Sequence, residues 1–361
     1  MTLVAPDHIE GKTGRLLNKC SAADQRAISG KYLFSEGDII YSKIRPYLRK
    51  AILTDFSGLC SADMYPLKAM PDVDAGFMLP VLLGERFSGY AESVSVRSGM
   101  PKINRAELAE YAFALPPLPE QRAIATALND LDALLSGLNS LTAKKQNLKQ
   151  AAMQQLLTGQ TRLPGFSGEW EVKRLGDMAE MGSGGTPVSS ISAYYDGNIP
   201  WVAISDMTKG GKILSNTERN LTVLGLANSA AQMFPSGTVL YAMYASLGEC
   251  SIAGLPVCTS QAILGIRPKK DLNGEFLYYY LTSLKAIIKT LGQQGTQSNL
   301  NKRMVQDFRF GVPSVPEQTA IATVLADMDT ELTALQARLG KTRALKQGMM
   351  QELLTGRIRL V

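Results

Sequence analysis

The sequence predicts an α+β protein in which two mixed, sheet-rich domains are separated by two long antiparallel coiled-coil helices related by a pseudo-two-fold axis. Three observations favour this fold class. A chain of 361 residues is long enough for at least two domains. Two similar stretches lie far apart in the sequence: PPLPEQRAIATALNDLD begins at Pro116, and PSVPEQTAIATVLADMD begins at Pro313. Both copies carry leucines at helical spacing, as described below.

The repeat extends well beyond these two stretches. KKQNLKQAAMQQLLTGQTRL, from Lys144, aligns without a gap with KTRALKQGMMQELLTGRIRL, from Lys341. The period is far longer than the ~20–50 residues of solenoid arrays, so it indicates one duplicated two-part unit. The first variable domain is predicted at residues 1–115 and the first repeated helix at 116–163. The second variable domain is predicted at 164–312 and the second repeated helix at 313–361.

Each repeated stretch predicts one long helix. Leu128, Leu131, Leu135 and Leu138 alternate three and four residues apart, which produces a narrow apolar seam for another helix. Each helix would have ~38 residues and a length of ~57 Å at 1.5 Å per residue. The glycine of L-L-T-G at the end of each copy suits a helix C-cap. The nearest partner for each seam is the other copy, although a device for dimerisation alone is an alternative.

The symmetry of the duplication favours a function beyond dimerisation. Two copies joined head to tail can pack about a pseudo-two-fold axis as a dimer does. Antiparallel packing would place two different variable domains at opposite ends of a rod. We therefore expect one constant surface that is presented twice and two different recognition domains.

The two variable domains are expected to share a fold. GKYLFSEGDIIYSKI from Gly30 matches AAQMFPSGTVLYAMY from Ala230, and in each a glycine turn precedes a β-branched strand that ends in tyrosine. Asn104 aligns with Asn301. The apolar stretches AGFMLPVLLGERF and GEFLYYYLTSLKAIIKTL predict helices that cover the sheets. The first domain has no counterpart of residues 169–200, so we expect it to be incomplete at its N-terminal side.

Composition argues against several functions. The sequence has one histidine and four scattered cysteines, Cys20, Cys60, Cys250 and Cys258, which we expect to be buried thiols rather than metal ligands. We therefore predict no catalytic residues, no metal and no cofactor. No apolar run approaches the ~18 residues of a membrane span, and no secretory signal is present, so the default location is the cytoplasm. The net charge of +6 leans towards an anionic partner.

The order of these motifs resembles the specificity subunit of type I restriction-modification systems. The resemblance rests on LPPLPEQ, a long helix ending in LLTG, then GEWEVKRLGDM and GSGGTP, followed by a second round. It implies that the variable domains are target recognition domains, each reading one half of a bipartite double-stranded DNA sequence. It also implies that the long helices bind methyltransferase subunits, two in number, that restriction subunits can join, and that the chain itself is not an enzyme.

The first domain has one basic stretch that suits DNA. YSKIRPYLRK combines cations with tyrosines and contains no acidic residue. Arginine can pair bidentately with guanine, whereas lysine and tyrosine can hold phosphate. A solvated basic edge strand is the alternative. The predicted contacts in this domain are Lys43, Arg45, Tyr47, Arg49, Lys102 and Arg105.

In the second domain, loops rich in hydroxyl and amide groups are the predicted contacts, since glutamine suits adenine edges. Plain polar loops are the alternative. These residues are Ser192, Tyr194, Tyr195, Lys209, Lys212, Tyr241, Tyr244, Gln293, Gln294, Thr296, Gln297 and Lys302.

Two other functions remain open from the sequence. One is a coiled-coil interaction scaffold that has no role on DNA. The other is a truncated specificity subunit in which one recognition domain is competent. The salt dependence of DNA binding would separate the scaffold from a DNA reader.

Overall fold

The computed structural model describes residues 1–25, 30–95, 99–288 and 299–360, and the chain divides into two compact units. The first unit joins Met1–Leu141 to Leu335–Val361, and the second is Thr142–Ala334. Unit 1 therefore contains the first variable domain, the beginning of the first long helix and the end of the second. Unit 2 contains the second variable domain with the other part of each helix.

The two long helices are Leu118–Leu156 and Val315–Leu353, each of 39 residues. This confirms the helices predicted from the repeat. After each helix the chain reaches a glycine with positive φ, +72° at Gly159 and +71° at Gly356. Glycine adopts this left-handed conformation at little cost, which explains why L-L-T-G closes both copies.

Unit 1 contains two sheets, in the orders β2-β1-β6-β3 and β5-β4-β7. Its strands are β1 Thr2–Val4, β2 Cys20–Ser21, β3 Lys31–Phe34, β4 Ile39–Ser42, β5 Ala51–Leu53, β6 Gly58–Ser61 and β7 Met64–Leu67. Its short helices are α1 Ala75–Leu83, α2 Glu85–Ser95 and α3 Arg105–Ala109. Leu82, Leu83 and Phe87 pack against Ile39 and Tyr41 of β4, so the predicted apolar helices do cover this sheet.

Unit 2 contains three sheets, in the orders β11-β14-β13-β16-β9, β12-β10-β15 and β17-β8. Its strands are β8 Glu171–Arg174, β9 Ala179–Ser183, β10 Tyr195–Val202, β11 Ile213–Leu214, β12 Arg219–Leu221, β13 Val239–Ala242, β14 Cys250–Ala253, β15 Cys258–Thr259, β16 Ile263–Pro268 and β17 Arg309–Val312. With the first long helix as α4, the other helices are α5 Leu175–Met178, α6 Ile204–Gly210, α7 Val223–Ala227, α8 Gly274–Ser283 and α9 Lys302–Gln306, and the second long helix is α10.

The two units share a fold, as their sequences predict. In unit 1, β1 runs parallel to β6, and in unit 2 the end of β10 runs parallel to β15. The strands β4 and β13 each have antiparallel neighbours on both sides. Asn104 and Asn301 are both N-caps, and each side chain accepts a hydrogen bond from a backbone N–H three residues later.

Within each unit, segments of the two long helices pack antiparallel. In unit 1, Ile124 and Leu128 near the start of α4 pack with Leu353 at the end of α10. The ammonium group of Lys346 lies 2.5 Å from the carboxylate of Asp132. In unit 2 the corresponding ion pair joins Lys149 to Asp329. Apolar seams and charged flanks of this kind are those of a coiled coil.

The cysteines of the described chain are free thiols. Cys60, Cys250 and Cys258 are buried, and Cys20 is half-buried. Burial raises the pKa of the Cys60 thiol to about 11, so this thiol is protonated at neutral pH and is a poor nucleophile. None of the described helices is long and apolar enough to cross a membrane.

Candidate nucleic-acid interface

In unit 1 a strained loop follows β4. A 3-10 turn, Pro46–Leu48, is flanked by Arg45 and Arg49, whose φ angles are +49° and +48°. A left-handed conformation costs a residue with a side chain on the order of 1–2 kcal/mol relative to glycine. Strain of this kind concentrates at functional sites, where the surrounding structure holds it in place.

A second segment holds this loop from the side. The backbone N–H of Arg45 donates to the carbonyl of Pro101 at 2.8 Å, and that of Ile103 donates to the carbonyl of Lys43 at 2.9 Å. Lys102 lies between these two hydrogen-bonded residues, and helix α3 begins shortly afterwards at Arg105. The structure therefore brings together both basic segments predicted for this domain.

Some cations of this cluster are already engaged. The Lys43 ammonium lies 5.4 Å from the centre of the Tyr65 ring and donates to the carbonyl of Ala62 at 2.6 Å. The Arg105 guanidinium lies 5.3 Å from the same ring and 5.7 Å from that of Tyr32. Burial raises the pKa of the Tyr65 phenol, although the charge of Arg105 opposes this. Lys43 and Arg105 are thus fixed over an aromatic platform.

Two of the remaining cations of the cluster, Arg45 and Lys102, face solvent. Arg45, Tyr47 and Lys102 are exposed, and within the described residues neither Arg45 nor Lys102 forms an ion pair. Arg49 is half-buried, and its guanidinium lies 3.9 Å from Glu85. The loop therefore offers one arginine, one lysine and one phenol to an outside ligand.

The same backbone arrangement recurs in unit 2 with different side chains. After β13, Ala245 takes the left-handed position with φ of +56°, and the N–H of Leu300 donates to the carbonyl of Met243 at 3.0 Å. Tyr244 and Lys302 are exposed beside these hydrogen bonds. Where unit 1 has Arg45, unit 2 has alanine, so one scaffold carries two different surfaces.

Tyr241 is not part of this surface. It lies on β13 between β14 and β16 and is fully buried. Its hydroxyl has no hydrogen-bond partner, and burial raises the pKa of the phenol. Tyr41 occupies the same place in β4 and is equally buried. A strand covered on both faces hides every side chain, so Tyr241 cannot reach DNA in this structure.

The other predicted residues of unit 2 that the structure describes lie elsewhere in that unit. Ser192 and Tyr194 belong to a 3-10 turn before β10. The hydroxyl of Tyr195 donates to the carbonyl of Pro187 at 2.7 Å. Lys209 is paired with Glu218. The contacts of Lys212 are with α8, where Glu275 is at 3.3 Å and the Tyr279 ring at 4.7 Å. Gln293, Gln294, Thr296 and Gln297 lie outside the described residues.

Three residues of these clusters were missed from the sequence. Tyr32 and Tyr65 form the platform under Arg105, and Arg219 covers the ring of Tyr195 at 4.1 Å. Tyr65 lies opposite Tyr41 across the β4–β7 ladder. This register could have identified Tyr65, but only if the pairing of β4 with β7 had been known.

Comparison with known proteins identifies the class. The type I restriction modification DNA specificity domain matches residues 21–150 and 167–342. These ranges cover most of the chain, so the chain belongs to this family. The predicted resemblance is confirmed.

Individual relatives agree with this assignment. The chain is 36% identical over 161 residues to the EcoDI specificity subunit of Escherichia coli, an alignment that covers 44% of this chain and 36% of the relative. It is 26% identical over 270 residues to a putative MjaX specificity subunit of Methanocaldococcus jannaschii, covering 72% and 62%. Each alignment spans less than two thirds of the relative's own length.

Solved structures show the same fold. A chain from a structure of a type I restriction-modification system described for its assembly and conformational transition has a TM-score of 0.64 and 21% identity, with 99% of this chain and 92% of that chain covered. The HsdS subunit of Thermoanaerobacter tengcongensis has a TM-score of 0.53 and 20% identity, with 99% and 90% covered. The predicted fold class is confirmed.

Proposed function

We propose that this chain is a sequence-specific DNA-binding specificity subunit that reads a bipartite target and directs partner methyltransferase subunits to it. One observation carries the proposal. The two units place structurally equivalent strand-end loops on the surface, and these loops differ in their side chains, as readers of two different half-sites must.

In unit 1 the exposed groups suit both parts of DNA recognition. The Arg45 guanidinium has the fork geometry for a guanine edge, whereas Lys102 and the Tyr47 hydroxyl suit phosphate. Lys43 and Arg105 support this surface over Tyr65, and Arg49 holds the turn. In unit 2 we assign the equivalent role to Tyr244 and Lys302.

We propose that the long helices bind the methyltransferase subunits, because the helices are the surface that is present twice. Leu148 and Leu345 occupy the same position in the two copies and are 47% and 55% exposed. Apolar side chains on otherwise polar helices suit a protein interface. We infer two methyltransferase subunits, with restriction subunits as further partners, a cytoplasmic location, and no catalytic role for this chain.

The salt dependence of binding to duplex DNA tests the DNA-binding function. Cations that neutralise phosphates release counterions, so log affinity should fall with log salt by about 0.9 per phosphate contact. The complex with its methyltransferase is titrated with a fluorescent duplex at several salt concentrations. A steep slope is expected, and affinity that is absent or independent of salt would contradict the proposal.

A further inference from the structure

A second turn of unit 1 lies against the loop that follows β4. This turn, residues 10–15, has the sequence EGKTGR and belongs to the connection between β1 and β2. The backbone N–H of Lys12 donates to the carbonyl of Arg49 at 2.9 Å. A β-carbon added at Gly11 would lie 2.6 Å from the carbonyl oxygen of Leu48, so only glycine permits this close approach. The turn is therefore fixed directly beside the loop that is proposed to contact DNA.

The two touching segments share an uncommon backbone conformation. In unit 1, the described residues other than glycine that have a positive φ are Lys12, Arg45 and Arg49, at +70°, +49° and +48°. Lysine and arginine do not adopt this conformation readily, because they lack the short polar side chain that lets asparagine and aspartate form a local hydrogen bond there. Three cations held in this way, in two segments that contact each other, indicate a surface that serves a ligand.

The cations of the turn at residues 10–15 are free to meet that ligand. Lys12 and Arg15 are exposed, and neither forms an ion pair with another described residue. The acidic residue of the turn, Glu10, is engaged locally, since its carboxylate accepts a hydrogen bond from the Thr13 hydroxyl at 3.0 Å. The backbone N–H of Glu10 donates to the carbonyl of Arg15 at 3.0 Å and closes the turn. The turn thus presents two positive charges to solvent.

The equivalent segment of unit 2 forms without these free charges. The chain reads LVA at the end of β1 and WVA at the end of β10, and alignment from there places Lys12 and Arg15 opposite Gly210 and Ile213. The lysines of the unit 2 segment are each paired with a glutamate. The fold therefore does not require free cations at this place, and an outside ligand explains them better than stability does.

We propose that Lys12 and Arg15 bind backbone phosphates of DNA beside the base pairs that the Arg45 loop reads. This inference rests on the proposed DNA-binding function and deepens it, since it assigns a sequence-independent contact to a separate turn of unit 1. Phosphate contacts fix the register of a protein on the duplex and carry no sequence information. Because the two segments are packed together, a phosphate held by Lys12 sets the place where Arg45 meets its base.

Salt titrations of the complex with its methyltransferase test this contact. The probes are a fluorescent duplex that carries the methylated motif of the natural chain and a duplex of the same length with that motif scrambled. Lys12→Gly suits the left-handed backbone, so it removes the charge without adding strain. We expect severalfold weaker binding of both duplexes, by equal factors, and a slope of log affinity against log salt that is shallower by about 0.9. Adding Arg15→Gln should reduce the slope by about the same amount again.

Three further variants separate this contact from general charge. Lys12→Arg keeps the charge on the same backbone and should bind as the natural chain does. Lys19→Ala removes a surface lysine of unit 1 that lies 3.4 Å from Asp55, and it should leave the slope unchanged. Gly11→Ala keeps every charge but forces the two segments apart, so it should reduce the preference for the motif duplex over the scrambled one. An unchanged preference would contradict the role in setting the register.

The outcomes distinguish this inference from the proposed function. If the natural complex binds DNA with a steep salt dependence and Lys12→Gly has the same affinity and slope, the inference is overturned and the proposed function stands. A loss confined to the motif duplex would show a base contact, and an equal loss in Lys19→Ala would show a general effect of charge, and either would also overturn the inference. Binding by the natural complex that does not depend on salt would overturn both.

Discussion

The guanidinium of Arg359 donates two hydrogen bonds to the carboxylate of Glu120, at 2.6 and 2.5 Å. Arg162 forms the same pair with Glu317, at 2.5 and 2.7 Å. Each glutamate belongs to P-E-Q at the start of one long helix, and each arginine follows L-L-T-G after the other. The start of each repeated stretch therefore binds the end of the other copy. This explains why P-E-Q and the arginine after L-L-T-G are present in both copies.

The glutamine of each P-E-Q has its own repeated role. Gln318 is fully buried, accepts from the N–H of Asn273 at 2.7 Å, and donates to the carbonyls of Asp271 and Pro313 at 3.1 and 2.9 Å. Gln121 makes the equivalent three hydrogen bonds in unit 1. Each glutamine thus connects the start of a long helix, by hydrogen bonds, to the loop before the helix that covers the sheet.

We predict that Gln318→Ala destabilises unit 2, because three backbone groups lose a partner in a buried place. Groups left unsatisfied in this way cost about 1–3 kcal/mol of unfolding free energy. Urea unfolding measures the change. Gln351→Ala, at an exposed position of the same helix, is the matched control and should shift the free energy by less than about 0.5 kcal/mol. Equal effects of the two substitutions would contradict the assigned role.

The Arg359–Glu120 pair predicts a pH dependence of stability. Hydrogen bonds from Arg359 hold the pKa of the Glu120 carboxyl below its usual value of 4.5. A carboxyl whose pKa is lower in the folded state stabilises the fold fully above pH 4.5 and loses this effect as the pH falls through the folded pKa. Arg359→Ala should therefore lower the melting temperature at neutral pH, and the difference from the natural chain should shrink below pH 4.5.

The control for this titration is Arg357→Ala. Arg357 lies 2.9 Å from Glu352 in a more exposed pair, and such surface pairs contribute little. If the difference in melting temperature between Arg359→Ala and the natural chain persists unchanged at acid pH, the lost stability comes from packing and not from the Glu120 carboxylate.

The positive φ of Arg45 decides which substitution tests the proposed DNA contact. Arg45→Gly removes the side chain and suits the left-handed backbone at little cost, whereas Arg45→Ala removes the guanidinium but keeps the β-carbon that strains this backbone. We expect Arg45→Gly to weaken DNA binding by about 1–3 kcal/mol and to relax one target position if the contact is to a base. Fluorescence anisotropy measures this. Lys19→Ala, which removes a surface lysine near Asp55, is the control, and equal losses would mean that only overall charge matters.

Sequence patterns predicted most of the fold because the duplication marks equivalent elements twice. The two long helices, the correspondence of Asn104 with Asn301, and the strands β4 and β13 were all predicted from local chemistry and repetition. Tyr241 was not, because no local pattern shows that β13 is covered on both faces. The platform of Tyr32 and Tyr65 under Arg105 also depends on strand pairing between segments far apart in the sequence.

The repeated helices lead to a prediction about the proposed methyltransferase. Leu148→Glu and Leu345→Glu each place a charge at one exposed apolar position, so each should weaken the binding of one methyltransferase subunit, and the double variant should release both. Native mass spectrometry of copurified complexes counts the subunits. Replacing residues 163–313 with an unrelated recognition domain should leave copurification intact. Loss of the partner in that chimera, with full retention in the double variant, would contradict the assignment to the helices.

The central claim is that each unit reads its own half of one bipartite target, and mapping methylated sites in cells tests it most directly. Cells carry the methyltransferase with the natural chain, with Arg45→Gly combined with Lys102→Ala, or with Lys302→Ala. We predict a two-part motif for the natural chain, relaxation of one half by the unit 1 variant, and relaxation of the other half by the unit 2 variant. A motif without two parts, or the same half altered by both variants, would contradict the account.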